Sequence, residues 1–505
     1  MSKLILVRPA HAHIPEITAY RDECLSHDDH SHGDSGLDTA TDIAKWVDFC
    51  HALTKKETIP KGTKYVQADQ FMLMREGHPR ILGMINLRHY LKEGYLAEHG
   101  GHIGFGIRPL ERGKGYAKAM LALCLEACRK LGLTKVLLCC DIDNHGSRGT
   151  IKACGGVFER LAIAGAEIDE RYWIELADID SPPQVSDNAE SPAQSHPLTF
   201  VQKFQHEVTA KASATEKPAS SDIITNYYSN YDEESRLVTR PGLVEFLTTM
   251  RYLEKYMPNL DKAIKTDDSK AASATAKILE IGAGTGRYSR AIAEMGYAVE
   301  AVELVPHNID IFRKEMTQGQ QINITQGNAL DLSMFAAEIF ELTLLLGPLY
   351  HLYTVEEKRQ AISEALRVTK PGGVVFAAYC QGDPSIVEGG FSRKRFSVAD
   401  MIQRGLIDPV SFATKSRPED IFELVRTEDI THTMSVFDNA KRLHLVGTDL
   451  FSRFIPTALD DMHDEEFSLY LRYHFAVCER ADLIGASHHV LDIFKKLYTA
   501  APHKM

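Results

Sequence analysis

The 505-residue sequence has no apolar stretch approaching the ~18 residues of a membrane span. One of its densest apolar runs, Leu342–Leu352, is interrupted by Gly347 and Pro348. Met1–Pro9 lacks the charged segment and apolar core of a secretory signal. There is no C-x-x-C pair among the nine cysteines. Cys139 and Cys140 fall in a strand-like run, and Cys124 and Cys128 lie four apart on a helical pattern. These read as buried thiols of a reducing compartment, not as a disulfide framework or a zinc site. Basic charge is also scarce: 57 Lys and Arg stand against 69 Asp and Glu, a net charge of −12. Such a chain repels phosphate backbones, which argues against a nucleic-acid partner. A composition of 44% hydrophobic and 25% charged residues excludes collagen-like and wholly disordered classes. A cytoplasmic globular protein with no membrane partner is therefore predicted.

At one domain per ~150 residues, the length calls for more than one core. No internal repeat is visible. The composition changes after Leu176: residues 177–221 are rich in Ser, Ala, Gln and Asp and hold five of the chain's twenty prolines. Such a segment buries too little apolar surface to offset its ordering entropy, and it reads as a flexible linker with one short amphipathic stretch, Leu198–Ala210. The expected domains are therefore 1–176 and 222–505. Asp267–Ala276 reads as a surface loop within the second.

In the first domain, strand patterns at Leu4–Arg8, Gln70–Arg75, Arg80–Arg88 and His102–Arg108 precede a helical pattern at Gly115–Leu131 and a strand at Lys135–Asp141. The junction at Arg112-Gly113-Lys114-Gly115-Tyr116-Ala117 joins strand to helix. Its glycines let the backbone approach a ligand. First-turn amides and the helix dipole suit a pyrophosphate. The run Glu98–Leu123 resembles the R-x-x-G-x-G/A segment of the GNAT acetyltransferases. Asp143–Ser147 with Ile151–Gly156 resembles their N-x-x-S…G-G motif, and Arg171–Ile174 closes the domain in a similar way. The resemblance implies an α/β fold with a mixed, splayed sheet flanked by helices, and acetyl-CoA as cofactor. It places the pyrophosphate on Arg112–Ala117, the pantetheine beside Phe105–Ile107, and Asn144 and Ser147 near the cofactor. Family members often carry an acid Tyr after the Asn motif; here no Tyr lies between Asn144 and Phe158, and Cys154 stands near that place. Glu98 and His102 are the candidate catalytic groups, with His99 and Arg88 beside them. The segment His27–Asp34 mixes His, Asp, Ser and Gly in no standard metal spacing. It reads as a solvated loop or an acceptor contact, and no metal is expected.

In the second domain, the strand Lys277–Ile281 runs into Gly282-Ala283-Gly284-Thr285-Gly286 and a helix from Arg287. A G-x-G-x-G turn by itself also suits a dinucleotide. Glu280 precedes the glycines, and a second strand ends in Glu303, where a carboxylate suits a ribose diol. A third strand, Ile322–Gln326, leads to Gly327-Asn328-Ala329. A fourth, Phe340–Leu346, leads to Gly347-Pro348-Leu349-Tyr350-His351. The turn Thr369–Gly373 precedes a fifth, Val374–Tyr379. This ordered set resembles class I S-adenosylmethionine (SAM) methyltransferases over residues 223–380 and, more loosely, a bacterial subgroup over 381–505. The resemblance implies a Rossmann-like sheet with helices on both faces. It implies a SAM site formed by Glu280, Gly282, Gly284, Gly286, Glu303, Asn328 and Ala329. Tyr350 and His351 lie where an acceptor would approach the methyl group, with His351 a candidate base. Tyr227, Tyr228 and Tyr231 are candidates for a lid. Residues from about 381 are expected to form a substrate cover that includes Phe391–Phe412, ending in a packing helix at Val490–Tyr498.

The leading expectation is a bifunctional transferase that acts on small-molecule acceptors, an amine for the acetyl group. One alternative keeps only the methyltransferase active and makes the first domain a binding module. The other uses Gly282–Gly286 for NAD in an oxidoreductase, against which the Arg367–Gly373 turn speaks.

Overall fold

In the computed structural model, residues 3–27, 32–60, 65–165, 167–176, 220–229, 239–257 and 277–498 are described. The chain forms two compact units. Except for its last two residues, the expected linker lies outside the described residues, as do Leu198–Ala210, Asp267–Ala276 and Tyr231.

The first unit begins with β1 (Leu4–Val7), α1 (Ile14–Ser26) and α2 (Ile43–Leu53), followed by β2 (Ala68–Arg75), β3 (Ile81–Arg88) and β4 (Ile103–Ile107). β1 to β4 pair antiparallel in chain order. Then come α3 (Tyr116–Lys130), β5 (Lys135–Asp141), α4 (His145–Ala153), β6 (Val157–Ala164) and β7 (Glu167–Glu175); within this stretch Asp141–Asp143 and Arg160–Glu170 group with the second unit. β5, β7 and β6 make a separate sheet in that order. β4 and β5 are thus neighbours without a ladder. They meet at His102, whose amide donates to Leu137 O at 2.7 Å and whose Nδ1 accepts the Leu137 amide at 2.9 Å. Beyond this stitch the strands splay, as the GNAT resemblance implies. α3 buries Met120, Leu121, Cys124, Leu125 and Cys128 against the sheet, at helical spacing.

Arg108 fixes the end of β4. It is 3% exposed, and its guanidinium donates to Glu16 at 2.6 Å, Glu23 at 2.8 Å and Ile81 O at 3.2 Å. α1 is thereby tied to the strand that leads into the glycine turn.

The second unit opens with α5 (Ser220–Tyr228) and α6 (Arg240–Tyr256). Alternation then sets in: β8 (Lys277–Ile281), α7 (Arg287–Glu294), β9 (Ala298–Glu303), α8 (Pro306–Glu315), β10 (Ile322–Gln326), β11 (Phe340–Leu345), α9 (Val355–Val368) and β12 (Thr369–Gln381). β13 (Leu424–Val425) pairs with the end of β12. β14 (Ala440–Gly447), α10 (Asp464–Val477) and β15 (His489–Lys496) complete the unit. The main sheet order is β10-β9-β8-β11-β12-β15-β14. Its first five strands are parallel, and β15 lies antiparallel between β12 and β14.

The helix expected at Val490–Tyr498 is therefore corrected to a strand. Apolar residues at 490, 491, 494 and 497 fit a helical face, but Ile493 is also apolar, and Val490, Leu491, Ile493 and Phe494 are all buried. A strand covered on both faces reads as a continuous apolar run and loses its period of two. Asp492 sits within that run because Arg442 of β14 meets it with two bonds of 2.7 and 2.9 Å. The part of the chain after residue 381 thus supplies three strands of the sheet, β13, β14 and β15.

Replacing Arg108 with Ala strands two acidic groups beside a buried position. We expect a loss of about 3 kcal/mol, measured as a lowered urea midpoint for the transition of the first unit.

Candidate active sites

In the first unit, β4 ends in a turn that feeds the N-terminus of α3. Gly113 and Gly115 have φ of +75° and +79°. A Cβ at either would meet no atom within 4 Å, so the demand for glycine comes from the backbone conformation and not from crowding. The first amides of α3 lack intrahelical acceptors. A cavity of about 590 Å³ lies against them, lined by Ile107, Arg112, Gly113, Gly115, Tyr116 and Ala117 on one side and Asn144 and Ser147 on the other. Lys114 is not among its lining residues; its Nζ donates to Glu111 at 2.9 Å. Asn144 caps α4, its Oδ1 accepting the Ser147 amide at 2.9 Å. Arg112 Nε donates to Ile107 O at 3.1 Å. The Tyr116 hydroxyl accepts from Arg75 at 2.6 Å.

His102 and Glu98 line neither this cavity nor its neighbour. Burial, with Arg88 nearby, pushes the His102 pKa down to about 4, so its ring is neutral and its Nδ1 is engaged by Leu137. The Glu98 carbonyl accepts from Arg171 at 2.8 Å. Cys154 Sγ lies 3.8 Å from Lys118 O.

Sequence reading missed a second cavity of about 530 Å³, whose lining includes Asp34, Tyr65, Asn86, Arg88 and Tyr95. His32 lines both cavities. The loop around Gly33 lies directly on β4: a Cβ at Gly33 would stand 2.1 Å from Gly104 O. Asp34 is 3% exposed, and Ser35, Gln70 and Asn86 form a hydrogen-bonded set at 2.7 to 3.3 Å. The available signal was the His27–Asp34 run, whose residues 28–31 lie outside the described residues.

In the second unit, Gly282, Gly284 and Gly286 have φ of +73°, +56° and +86°. Here crowding adds to conformation: a Cβ at Gly282 would be 2.5 Å from Pro348, and one at Gly286 would be 2.4 Å from the Phe312 ring. Glu303, at the end of β9, accepts Gly284 N at 2.8 Å, Val305 N at 2.9 Å and Asn308 Nδ2 at 3.3 Å. Burial raises its pKa against these donors. Glu280 is buried and accepts from the Ser289 hydroxyl, and burial raises its pKa to about 8. Asn328 Oδ1 accepts the Leu330 amide at 3.0 Å.

His351 Nδ1 lies 2.9 Å from the Ile421 carbonyl, which can only accept, so Nδ1 carries the proton. Its Nε2 therefore presents a lone pair to the Tyr228 hydroxyl at 3.0 Å. Burial lowers the His351 pKa to about 4, and the ring is neutral. One cavity takes in Glu280, Gly282, Gly284, Glu303, Asn328 and Ala329, and also Tyr228, Tyr350 and His351. Gly286 shapes the turn without lining it. Tyr228 was noticed in the sequence only as a lid candidate, because its partner lies 123 residues away.

Each unit thus holds a strand–glycine-turn–helix cradle that opens into its own cavity. Residues 42–155 match the acetyltransferase (GNAT) family, and residues 279–377 match a methyltransferase domain. The chain thus carries one stretch that matches the GNAT acetyltransferases and another that matches methyltransferase domains, and each contains one of the two glycine turns. It is 28% identical over 137 residues to a demethylmenaquinone methyltransferase of Clavibacter sepedonicus, which covers 27% of this chain and 54% of that protein. It is 29% identical over 105 residues to nodulation protein S of Rhizobium tropici, covering 21% and 43% respectively. The chain spans about half the length of the curated relatives it matches. Among solved structures, a geranyl diphosphate C-methyltransferase from Streptomyces coelicolor A3(2) is 13% identical with a TM-score of 0.32, covering 56% of this chain and all of that one.

The neutral His102 gives a pH prediction. Its folded pKa of about 4 lies below the ordinary 6.5, so between these values the unfolded chain binds a proton that the folded one does not. This contribution to stability is present above pH 6.5 and is lost as pH falls toward 4. Melting curves across this window should show a shallower pH slope for His102→Gln than for wild type.

Proposed function

We propose that the chain is a bifunctional transferase, moving an acetyl group from acetyl-CoA to an amine and a methyl group from SAM to a small-molecule acceptor. The observation that carries this reading is that each unit has its own cofactor cradle joined to space for an acceptor. In the first unit His32 lines both the cradle cavity and the cavity holding Asp34 and Arg88. Asp34 would hold an ammonium group, and Arg88 would orient a polar group elsewhere on the acceptor. The backbone of Phe105–Ile107 would align the pantetheine, and Arg112–Ala117 would hold the pyrophosphate with amides and the helix dipole. The cofactor supplies an activated thioester; the chain positions the amine against it.

In the second unit, Gly282–Gly284 and Glu303 would hold the amino-acid and ribose parts of SAM. The open φ > 0 turn and the buried carboxylate that already gathers three donors fit that cofactor. Bound SAM supplies a methyl group on a cationic leaving group. Tyr350 and the Tyr228–His351 pair face the same cavity. An acceptor atom becomes acidic as it takes the methyl group. Its proton can pass to Tyr228 Oη while the Tyr228 proton passes to His351 Nε2, a lone pair held ready by the Nδ1–H bond to Ile421. Glu98 and His102 support the acetyl site through the strand junction, which places them as positioning residues in this proposal.

The test uses labelled acetyl-CoA and labelled SAM with a panel of small amines. Gly113→Asp should abolish acetyl transfer and spare methyl transfer; Gly284→Asp should do the reverse. Loss of both activities from either lesion would contradict two independent sites. His351→Ala and Tyr228→Phe should each lower the methyl-transfer kcat by on the order of 100-fold while leaving SAM binding intact.

A further inference from the structure

Apart from the SAM cavity, the second unit holds a buried cluster of acids and imidazoles that the proposed chemistry does not use. Glu245 of α6, Asp449 in the connection after β14, and His489 at the start of β15 converge there. Their ligand atoms all lie within 4.8 Å of one another. His489 Nδ1 is 2.8 Å from Asp449 Oδ2 and 3.4 Å from Glu245 Oε2. One nitrogen thus faces two carboxylates. Asp449 is 0% and Glu245 7% exposed.

The second carboxylate oxygen of Asp449 is already committed. Asp449 Oδ1 accepts the Ser487 hydroxyl at 2.6 Å and the amides of His488 at 2.8 Å and His489 at 3.2 Å. These donors turn Oδ2 toward His489 and Glu245, as outer-shell bonds orient metal-ligating carboxylates. Arg453 Nε, 3.6 Å from Asp449 Oδ2, is the other cation at the cluster. Two more imidazoles stand within electrostatic reach of Asp449. His488 is 7% exposed, and neither of its ring nitrogens has a hydrogen-bond partner among the described residues; His474 is 1% exposed, and its Nε2 has none. Buried nitrogens with spare donor or acceptor capacity are uncommon.

We propose that Glu245, Asp449 and His489 form a divalent transition-metal site, with Zn2+ as the ion their oxygen and imidazole donors suit best. The metal takes the place of the proton that His489 Nδ1 now shares between the carboxylates. The ligands come from α6, the connection after β14 and the start of β15, and His489 pairs with Cys380 at the carboxyl end of β12. The site therefore pins α6 to the ligand-binding edge of the sheet. On α6 the neighbouring residue, Phe246, packs on Tyr288 at 5.1 Å and under Arg287 at 4.4 Å, both of which line the SAM cavity. The ion's role is structural: it holds the helix that backs the cofactor site.

The full chain, dialysed against chelator, should bind one equivalent of Co2+ with the visible absorption of a low-symmetry four- or five-coordinate site, and Zn2+ should displace it. Both Glu245→Gln and His489→Gln should lower the affinity by about 100-fold or more. Metal should raise the melting temperature of the wild type and not of these variants. Histidine-selective 15N NMR on the wild type asks the same question without a substitution: Zn2+ must shift the His489 Nδ1 resonance. Absence of saturable binding, binding that survives in His489→Gln because the ion sits elsewhere on the chain, or an unmoved His489 resonance would each overturn the proposal.

Discussion

Both halves of the molecule depend on one local constraint: a strand must stop and a helix start within a turn whose backbone takes positive φ. At Gly113 and Gly115, and again at Gly282, Gly284 and Gly286, that conformation leaves the first helical amides uncovered. Everything around each turn serves to hold it. Arg108 ties α1 to the end of β4 just ahead of the first turn. Pro348 and the Phe312 ring pack so close to the second that no side chain fits at 282 or 286. The cavities lie where they do because the turns are fixed there.

The two cradles solve different recognition problems with the same geometry. The first has Arg112 beside it and no acidic residue in the first turn of α3, and the Glu111 carboxylate that also lines its cavity is paired with Lys114 at 2.9 Å and Arg80 at 3.1 Å, which leaves the turn suited to an anion. The second has the buried carboxyl groups of Glu280 and Glu303 among its lining residues, which suits a hydroxyl-bearing ligand and disfavours a pyrophosphate. Positive-φ glycine turns alone do not distinguish these ligands; the charges beside them do. The net charge of −12 is compatible with both, since the only basic surface either site needs is local.

Most of this was legible in the sequence because both sites are built from contiguous segments. Glycine spacing, the carboxylate ending β9 and the alternation of strands with helices are short-range signals. What was not legible depends on distant partners. β15 hides its period because it is buried on both faces and carries Asp492 paired to Arg442. Tyr228 gains its meaning only from His351, across 123 residues. His102 reads as a catalytic candidate in the sequence, and only the fold shows its Nδ1 accepting the Leu137 amide at the point where β4 and β5 part. The second cavity of the first unit depends on the loop at Gly33 resting on Gly104, a contact no local pattern announces.

Two separate cofactor sites on one chain are the core of this account, and isothermal titration of the full-length protein tests them most directly. Acetyl-CoA and SAM should each bind with a stoichiometry of one, and saturation with either should leave a full equivalent of sites for the other. Competition between the two ligands for one site, or failure of either to bind, would contradict it.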